Sequence, residues 1–127
     1  MNKILARAAV ITAAAGAALA LATAPANAAV DNYGSIAYSP TTGNVGWSYD
    51  YANRATAEAV ATGYCNASDC QAVVWFYNGC GALSVASDGA YGWGYAPTRE
   101  GAEYHALRNT PGPNGHIVRW VCTTGHQ

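Results

Sequence analysis

The two halves of this sequence repeat each other, and the repeat is the feature that most constrains the fold. The stretch GWSYDYANRATAE at 46–58 returns as GWGYAPTREGAE at 92–103, and the match extends to both sides once Gly34 is aligned with Gly81. Chance rarely aligns Trp and Tyr in this way, so we interpret residues 34–80 and 81–124 as two copies of one unit. The identical pairs include Trp47/Trp93, Tyr49/Tyr95, Arg54/Arg99, Glu58/Glu103 and Trp75/Trp120.

Each copy has the pattern of a ββαβ unit. Aromatic residues alternate with small or polar ones at 45–51 and 91–95, which predicts a strand after a glycine-containing turn. Asn53 and Thr98 are good N-cap residues, and each is expected to begin a helix. The remaining strands are predicted at 35–39, 72–77, 82–86 and 117–122.

One such unit leaves an apolar sheet face that it cannot cover alone, whereas two copies related by a pseudo-twofold axis cover each other. The copies meet at Cys80 and Gly81 without a linker. The predicted fold is therefore α+β: a single small domain made of two duplicated ββαβ halves, with mainly antiparallel sheet, two helices and disulfide bonds. The order of the strands is not predicted by the pattern.

The N-terminal 28 residues have the three parts of a signal peptide. Lys3 and Arg7 precede an apolar, alanine-rich run, and Ala26 and Ala28 stand at the −3 and −1 positions of a cleavage site. The run is shorter than the roughly 20 strongly apolar residues of a membrane span. We expect residues 1–28 to be a signal peptide and residues 29–127 to form the domain. We expect the protein to be secreted, either free outside the cell or associated with the cell wall.

The charge of the mature chain disfavours nucleic acid and anionic membranes as partners. Without Lys3 and Arg7, four arginines stand against seven acidic residues, a net charge of −3 with histidine neutral. A nucleic-acid binder would carry a basic patch. We expect no nucleic-acid partner, no membrane contact after cleavage, and a monomer.

The four cysteines are expected to form two disulfides, as in other small exported chains. Three pairings are possible. In the self-alignment Cys65 and Cys70 fall on Thr110 and Gly115, so both are absent from the second copy together. This favours Cys65–Cys70 and Cys80–Cys122.

The paired aromatics are the candidate ligand-binding residues. Trp47 with Tyr49, and Trp93 with Tyr95, lie on one strand face and would suit a glycan or an extended ligand. The competing interpretation, which we favour here, is that they fill a small core, with Gly46, Gly92 and Gly94 admitting another element on the opposite face. Trp75 and Trp120 are expected in the core as well.

No catalytic or metal-binding pattern stands out. Glu58 and Glu103 follow Arg54 and Arg99 by four residues, the spacing of an ordinary helical ion pair. Asp50 or Asp88 with His105 or His116 would be the acid–base candidates of a hydrolase. The histidines lack a metal-ligand spacing, so no metal and no cofactor are expected.

The chain resembles the DUF4189 family of small exported bacterial proteins. The resemblance rests on GSIAYSPTTGNVGWSY, CNASDCQAVVWFYNGCGALSV and GWGYAPTREGAE, and it extends from about Tyr33 to Cys122. It implies a duplicated, disulfide-linked domain and brings no catalytic or binding residues with it.

The resulting functional hypothesis is a secreted, non-enzymatic binding module for a protein or a cell-envelope glycan. Two alternatives are a small secreted hydrolase and a structural protein associated with the envelope. Low charge, disulfide bonds and the lack of a catalytic pattern favour the first of the three.

Overall fold

The computed structural model describes residues 32–126, so the predicted signal peptide at 1–28 lies outside the described residues. The described chain contains six strands and two helices in the predicted ββαβ-ββαβ order. Their bounds are β1 Tyr33–Tyr38, β2 Val45–Tyr51, α1 Arg54–Cys65, β3 Gln71–Tyr77, β4 Cys80–Val85, β5 Tyr91–Ala96, α2 Arg99–Arg108 and β6 His116–Cys122.

Each copy forms its own three-stranded antiparallel sheet. Sheet 1 has the order β2-β1-β3, and sheet 2 has the corresponding order β5-β4-β6. The first strand of each copy is therefore central, and the other two strands are edges. The predicted α+β fold is confirmed, and the structure adds the strand order that the pattern did not give.

The two sheets pack face to face and cover each other as expected. Ile36, Val74 and Phe76 of sheet 1 meet Leu83 and Val121 of sheet 2 in one apolar cluster. Strand β2 lies beside β6, and β3 lies beside β5, as a pseudo-twofold relation between the copies requires. Burial of these large side chains between the sheets supplies the main hydrophobic stabilisation of the domain.

The helices cover the outer faces of the sheets. Ala61 and Cys65 of α1 pack on Ala37, and Ala102 and Ala106 of α2 pack on Ala82. The order of layers is thus α1, sheet 1, sheet 2, α2. Within residues 32–126, no helix is long and apolar enough to cross a membrane.

Glycines on β2 and β5 let each helix approach its sheet closely, as the sequence predicted. A Cβ atom on Gly46 would lie 2.0 Å from the carbonyl oxygen of Ala61. One on Gly92 would lie 2.5 Å from the main chain of Asn109. No side chain fits at such distances, so these positions require glycine.

Both predicted N-caps are confirmed. The side chain of Asn53 accepts a hydrogen bond from the amide of Thr56, and that of Thr98 accepts one from the amide of Gly101. Each cap satisfies an amide that has no partner inside the first helical turn.

Both predicted disulfides are present, Cys65–Cys70 and Cys80–Cys122. Cys80 and Cys122 are cross-strand partners on β4 and β6. At the corresponding positions of the first copy, Tyr33 and Tyr77 are partners on β1 and β3, with ring centroids 4.6 Å apart. The same cross-strand position is therefore held by a covalent bond in one copy and by an aromatic contact in the other.

Candidate functional site

The repeated Trp–Tyr pairs are more exposed than a core position allows. Trp47 and Trp93 face the space between the sheets, since their cross-strand partners Ile36 and Leu83 belong to the core. They stand on edge strands, however, where that space opens to solvent. Trp47 is 37% and Trp93 42% exposed, and Tyr95 reaches 65%. The expectation that these residues fill the core was wrong for this reason.

The two pairs lie at opposite edges of the sandwich. Trp47 and Tyr49 belong to β2, which lies beside β6, whereas Trp93 and Tyr95 belong to β5, which lies beside β3. They line separate cavities. The four candidate residues therefore form two separate surfaces and not one platform.

The core interpretation fails for Trp75, which is exposed, whereas Trp120 is partly buried against the apolar cluster between sheet 2 and α2. Their cross-strand partners, Ser35 and Ala82, face the helix layer, so both rings lie on the outer side of their sheets. Trp75 is 38% exposed. Their sequence neighbours alternate between the two sheet faces, and an apolar run alone does not tell which face is the buried one.

Each outer tryptophan is covered by the repeated arginine of its own copy. The guanidinium carbon of Arg54 lies 4.7 Å from the ring centroid of Trp75, and that of Arg99 lies 3.8 Å from that of Trp120. Both predicted ion pairs are present. The arginine Nε lies 3.0 Å from the carboxylate oxygen in Arg54–Glu58 and 2.9 Å from it in Arg99–Glu103. The repeated Arg, Glu and Trp thus form one unit, in which the acid orients an arginine over the ring.

Arg119 covers Trp47 in a different way. It lies on β6 opposite Leu83, so it points into the space between the sheets, and its guanidinium carbon lies 3.8 Å from the Trp47 ring centroid. Its Nε atom is buried and has no hydrogen-bond acceptor within residues 32–126. Arg119 therefore holds a partly desolvated charge at an edge of the sandwich.

The first copy has Val74 at the position of Arg119. Val74 is buried between the sheets on β3, beside Trp93, and its short side chain carries no charge. Three of the four tryptophans have a guanidinium group over the ring, and within residues 32–126 Trp93 does not. The ring of Trp93 therefore has no cation over its face, and its nearest aromatic neighbour is Tyr91, with ring centroids 6.4 Å apart.

A groove of about 430 Å³ runs along the free edge of β3 and ends on Trp93. We call it the Trp93 groove. Residues 72–77 form its floor, Arg54 and Glu58 stand on the helix side, and Trp93 and Tyr95 stand on the side of sheet 2. Trp75 and Tyr77 contribute exposed aromatic surface to it. Backbone edge groups, one neutralised ion pair and several aromatic rings are thus brought together in one concave surface.

The corresponding edge of β6 is different. The cavity there, also of about 430 Å³, is lined by Arg99, Glu103 and residues 117–120, and at its inner side Arg119 lies over the ring of Trp47. Beyond that contact, Trp47 and Tyr49 line an apolar cavity of about 680 Å³ next to α1, together with Tyr51 and Tyr64. Its counterpart beside Trp93 is smaller, about 340 Å³.

The acid and histidine candidates are not brought together. Asp50 accepts a hydrogen bond from the amide of Thr124, and Asp88 accepts one from the amide of Ala90. His105 contacts the ring of Tyr104, and His116 lies exposed at the start of β6. Among residues 32–126, no Asp–His hydrogen bond is present and no cluster of His, Cys, Asp and Glu has the arrangement of a metal site.

Asp69 is the one carboxylate in the described chain whose pKa is clearly shifted. Hydrogen bonds from the hydroxyls of Ser39 and Thr41 lower the pKa of Asp69 below its ordinary value of 3.8. The main-chain amide of Thr41 donates a third hydrogen bond to the Asp69 carboxylate, at 3.2 Å. Asp69 precedes Cys70, so these bonds tie the β1–β2 turn to the disulfide loop. The role of this residue is structural and it lies outside the Trp93 groove.

Known proteins resemble this chain in sequence and in fold. The family pattern described as "Domain of unknown function (DUF4189)" matches residues 33–122. Protein Rv1269c of Mycobacterium tuberculosis and Protein Mb1300c of Mycobacterium bovis are each 48% identical over 99 residues, which is 76% of this chain and 73% of theirs. The solved NMR structure of Rv1813c from Mycobacterium tuberculosis has the same fold, with a TM-score of 0.58, 34% identity, and coverage of 73% of this chain and 76% of that one.

Proposed function

The chain belongs to the DUF4189 family, and from its own surface we propose that it is an exported, non-enzymatic binding module with its ligand site in the Trp93 groove. The target is a protein or a glycan of the cell envelope. The single observation that carries the proposal is the exposed ring of Trp93 at the end of an open, aromatic-lined groove.

Export is supported by two independent features. The first 28 residues have the pattern of a cleavable signal peptide. The four cysteines pair in two disulfides, which persist in oxidising compartments and are rare in the cytosol. Both features favour a protein that works outside the cytoplasm.

The Trp93 groove has the composition of a recognition site. Aromatic rings give a large contact area at a low cost in conformational entropy, and Trp and Tyr are enriched among residues that dominate binding energy. Tyr95 is among the most exposed large side chains of the domain. A monomeric domain that leaves Trp75, Tyr77, Trp93 and Tyr95 in solvent loses the benefit of burying them unless a ligand does so.

Divergence between the copies also favours this edge. Residues that serve folding are retained in both copies, as the Arg54/Arg99 pair and its glutamates are. The contact of Arg119 with the Trp47 ring has no counterpart on β3, because Val74 stands in place of Arg119. A difference at this one edge contact, where the other repeated contacts are kept, is better explained by a ligand than by stability.

The test is a titration of the 15N-labelled domain, residues 29–127, in which the four tryptophan indole N–H signals are followed separately. Two probe sets are used: capped peptides and soluble fragments of enzymatically digested cell wall. Binding in the groove is expected to shift the Trp93 signal and to leave Trp120 unmoved. If both probe sets leave Trp93 unchanged, or if only residues remote from β3 and β5 respond, the proposal fails.

A further inference from the structure

We propose that the ligand of the Trp93 groove is an extended, uncharged peptide segment of another protein, which adds to β3 as an antiparallel or parallel fourth strand of sheet 1. This inference rests on the proposed function and names the partner class of the same site. Strand addition at an exposed sheet edge is a recurrent mode of peptide recognition, in which main-chain hydrogen bonds give affinity and side-chain pockets give specificity.

The floor of the groove offers the main-chain groups that a strand needs. Sheet 1 ends at β3, so the outer side of this strand has no hydrogen-bonded neighbour within residues 32–126. The hydroxyl of Ser35 on β1 donates to the carbonyl of Val74, which shows that the polar groups of Val74 face inward to β1. Because successive residues of a strand alternate in direction, the N–H and C=O of Trp75 face the open edge.

The sequence of β3 lacks the devices that normally protect an edge. Natural edge strands carry Lys, Pro or an inward-pointing charge that discourages pairing with another chain. Strand β6 has such a charge in Arg119, which points between the sheets. Strand β3, with the sequence QAVVWFY, has no charged residue and no proline, and Val74 occupies the position of Arg119. The edge strand β6 of the second copy is therefore protected against pairing, and the equivalent strand β3 of the first copy is not.

The shape of the groove favours a single strand over a second copy of the domain. The edge lies between two walls, Arg54 with Glu58 on one side and Trp93 with Tyr95 on the other. A second copy would bring its own pair of walls to this edge, and both pairs would have to be accommodated beside the paired strands. A peptide segment has no such walls.

The charge and the ring positions favour an uncharged peptide over a glycan. Arg54 is paired with Glu58, so the groove carries no free charge to attract a charged ligand. Arg54 also covers a face of Trp75, so of the two tryptophans in the groove only Trp93 offers a sugar a ring with no guanidinium group over it. Alternate side chains of a bound strand would instead meet Trp75 and Tyr77 on one side and Trp93 on the other, so aliphatic or aromatic residues are expected there.

The experiment uses a library of N-acetylated, C-amidated heptapeptides in which Tyr, Trp, Val or Ile alternate with Thr or Ser. The tightest binder is resynthesised with N-methyl groups on its odd or on its even residues. We expect one methylated form to lose affinity by about tenfold or more, since it removes main-chain donors that face β3, and the other form to bind normally. Hydrogen exchange of the Trp75 amide should slow by about the same factor in the complex.

Two protein variants test whether the peptide binds in the Trp93 groove. V74R is expected to reduce peptide affinity by about tenfold or more by placing a guanidinium group over Trp93. R119V, which lies outside the groove, is the matched control, and the affinity read at its Trp93 indole is expected to equal that of the wild type, whatever binds at its newly unprotected β6 edge. Circular dichroism verifies that both variants fold.

The outcomes separate this inference from the proposed function. Equal binding of the two methylated forms overturns strand addition. Sedimentation as a dimer with a protected Trp75 amide overturns it in favour of a second copy. If no library peptide binds but cell-wall glycan fragments shift the Trp93 indole, the binding function stands and the peptide partner is wrong; if neither probe binds, both fail.

Discussion

The guanidinium group of Arg119 lies 3.8 Å from the ring centroid of Trp47, and at the equivalent place in the other copy Val74 leaves the ring of Trp93 uncovered. The two copies share their strand order, a side-chain N-cap on each helix and an Arg–Glu ion pair, although their disulfides differ. This difference between the copies thus decides whether a guanidinium group lies over the edge-strand tryptophan.

Removal of Arg119 is expected to open the Trp47 side. In R119V the Trp47 ring loses the guanidinium group over its face, so its solvent exposure should rise above the 37% of the wild type. 19F NMR of protein labelled with 5-fluorotryptophan, with a soluble paramagnetic agent, measures this ring by ring. Trp120, covered by Arg99, is the internal control and should not change. An unchanged Trp47 signal would show that Arg119 does not shield this ring in solution.

Replacement of Gly46 by alanine should destabilise the domain by about 1–3 kcal/mol or more, because the new methyl group overlaps the main chain of α1. Gly63 lies within α1 with open space around it, and G63A is the matched control. That variant should gain about 0.5–1 kcal/mol from improved helix propensity. Urea unfolding of both variants measures the difference; equal stabilities would mean that α1 does not rest on β2 as described.

The two disulfides should differ in their contribution to stability. The Cys65–Cys70 bond spans 5 residues and the Cys80–Cys122 bond spans 42. The loop-entropy relation gives about 2 kcal/mol for the first and about 4 kcal/mol for the second. Thermal and urea unfolding of C65A/C70A and C80A/C122A give the comparison, and a larger loss from the short loop would contradict this ranking.

Asp69 should make the stability of the domain depend on pH in the acid range. Because its folded pKa is lowered, chiefly by the Ser39 hydroxyl, its contribution is complete well above 3.8 and is lost as the pH falls through the folded pKa. In S39A the pKa of Asp69 should move back towards its ordinary value. Carbon-13 NMR titration of the carboxyl group in both proteins measures the shift; identical titration curves would rule out the Ser39 contact as its cause.

Much of the fold was predictable because the determinants are local or repeated. Period-two alternation marked β2 and β5, N-cap chemistry marked the starts of α1 and α2, and the loss of two cysteines from one copy identified both disulfides. The repeat further indicated two sheet faces that cover each other. All of these signals lie within one copy or in the alignment of one copy with the other.

The candidate site was predicted only in part, because its determinants depend on strand order. The sequence identified Trp93 and Tyr95 but placed them in the core, since nothing in the pattern showed that β5 is an edge strand. The importance of Val74 and Arg119 was missed for the same reason, although their mismatch is visible in the alignment of the repeats. Differences between aligned copies deserve as much weight as identities when a duplicated domain is searched for its site.

The most direct test of the account is the indole spectrum of the V74R variant during titration with the peptide and cell-wall probes. We expect the wild-type domain to respond at Trp93, V74R to bind about tenfold or more weakly at that site, and R119V to keep the Trp93 response. Undiminished binding by a folded V74R protein, or a wild-type response centred on Trp47 or Trp120, would contradict the assignment of the site to the Trp93 groove.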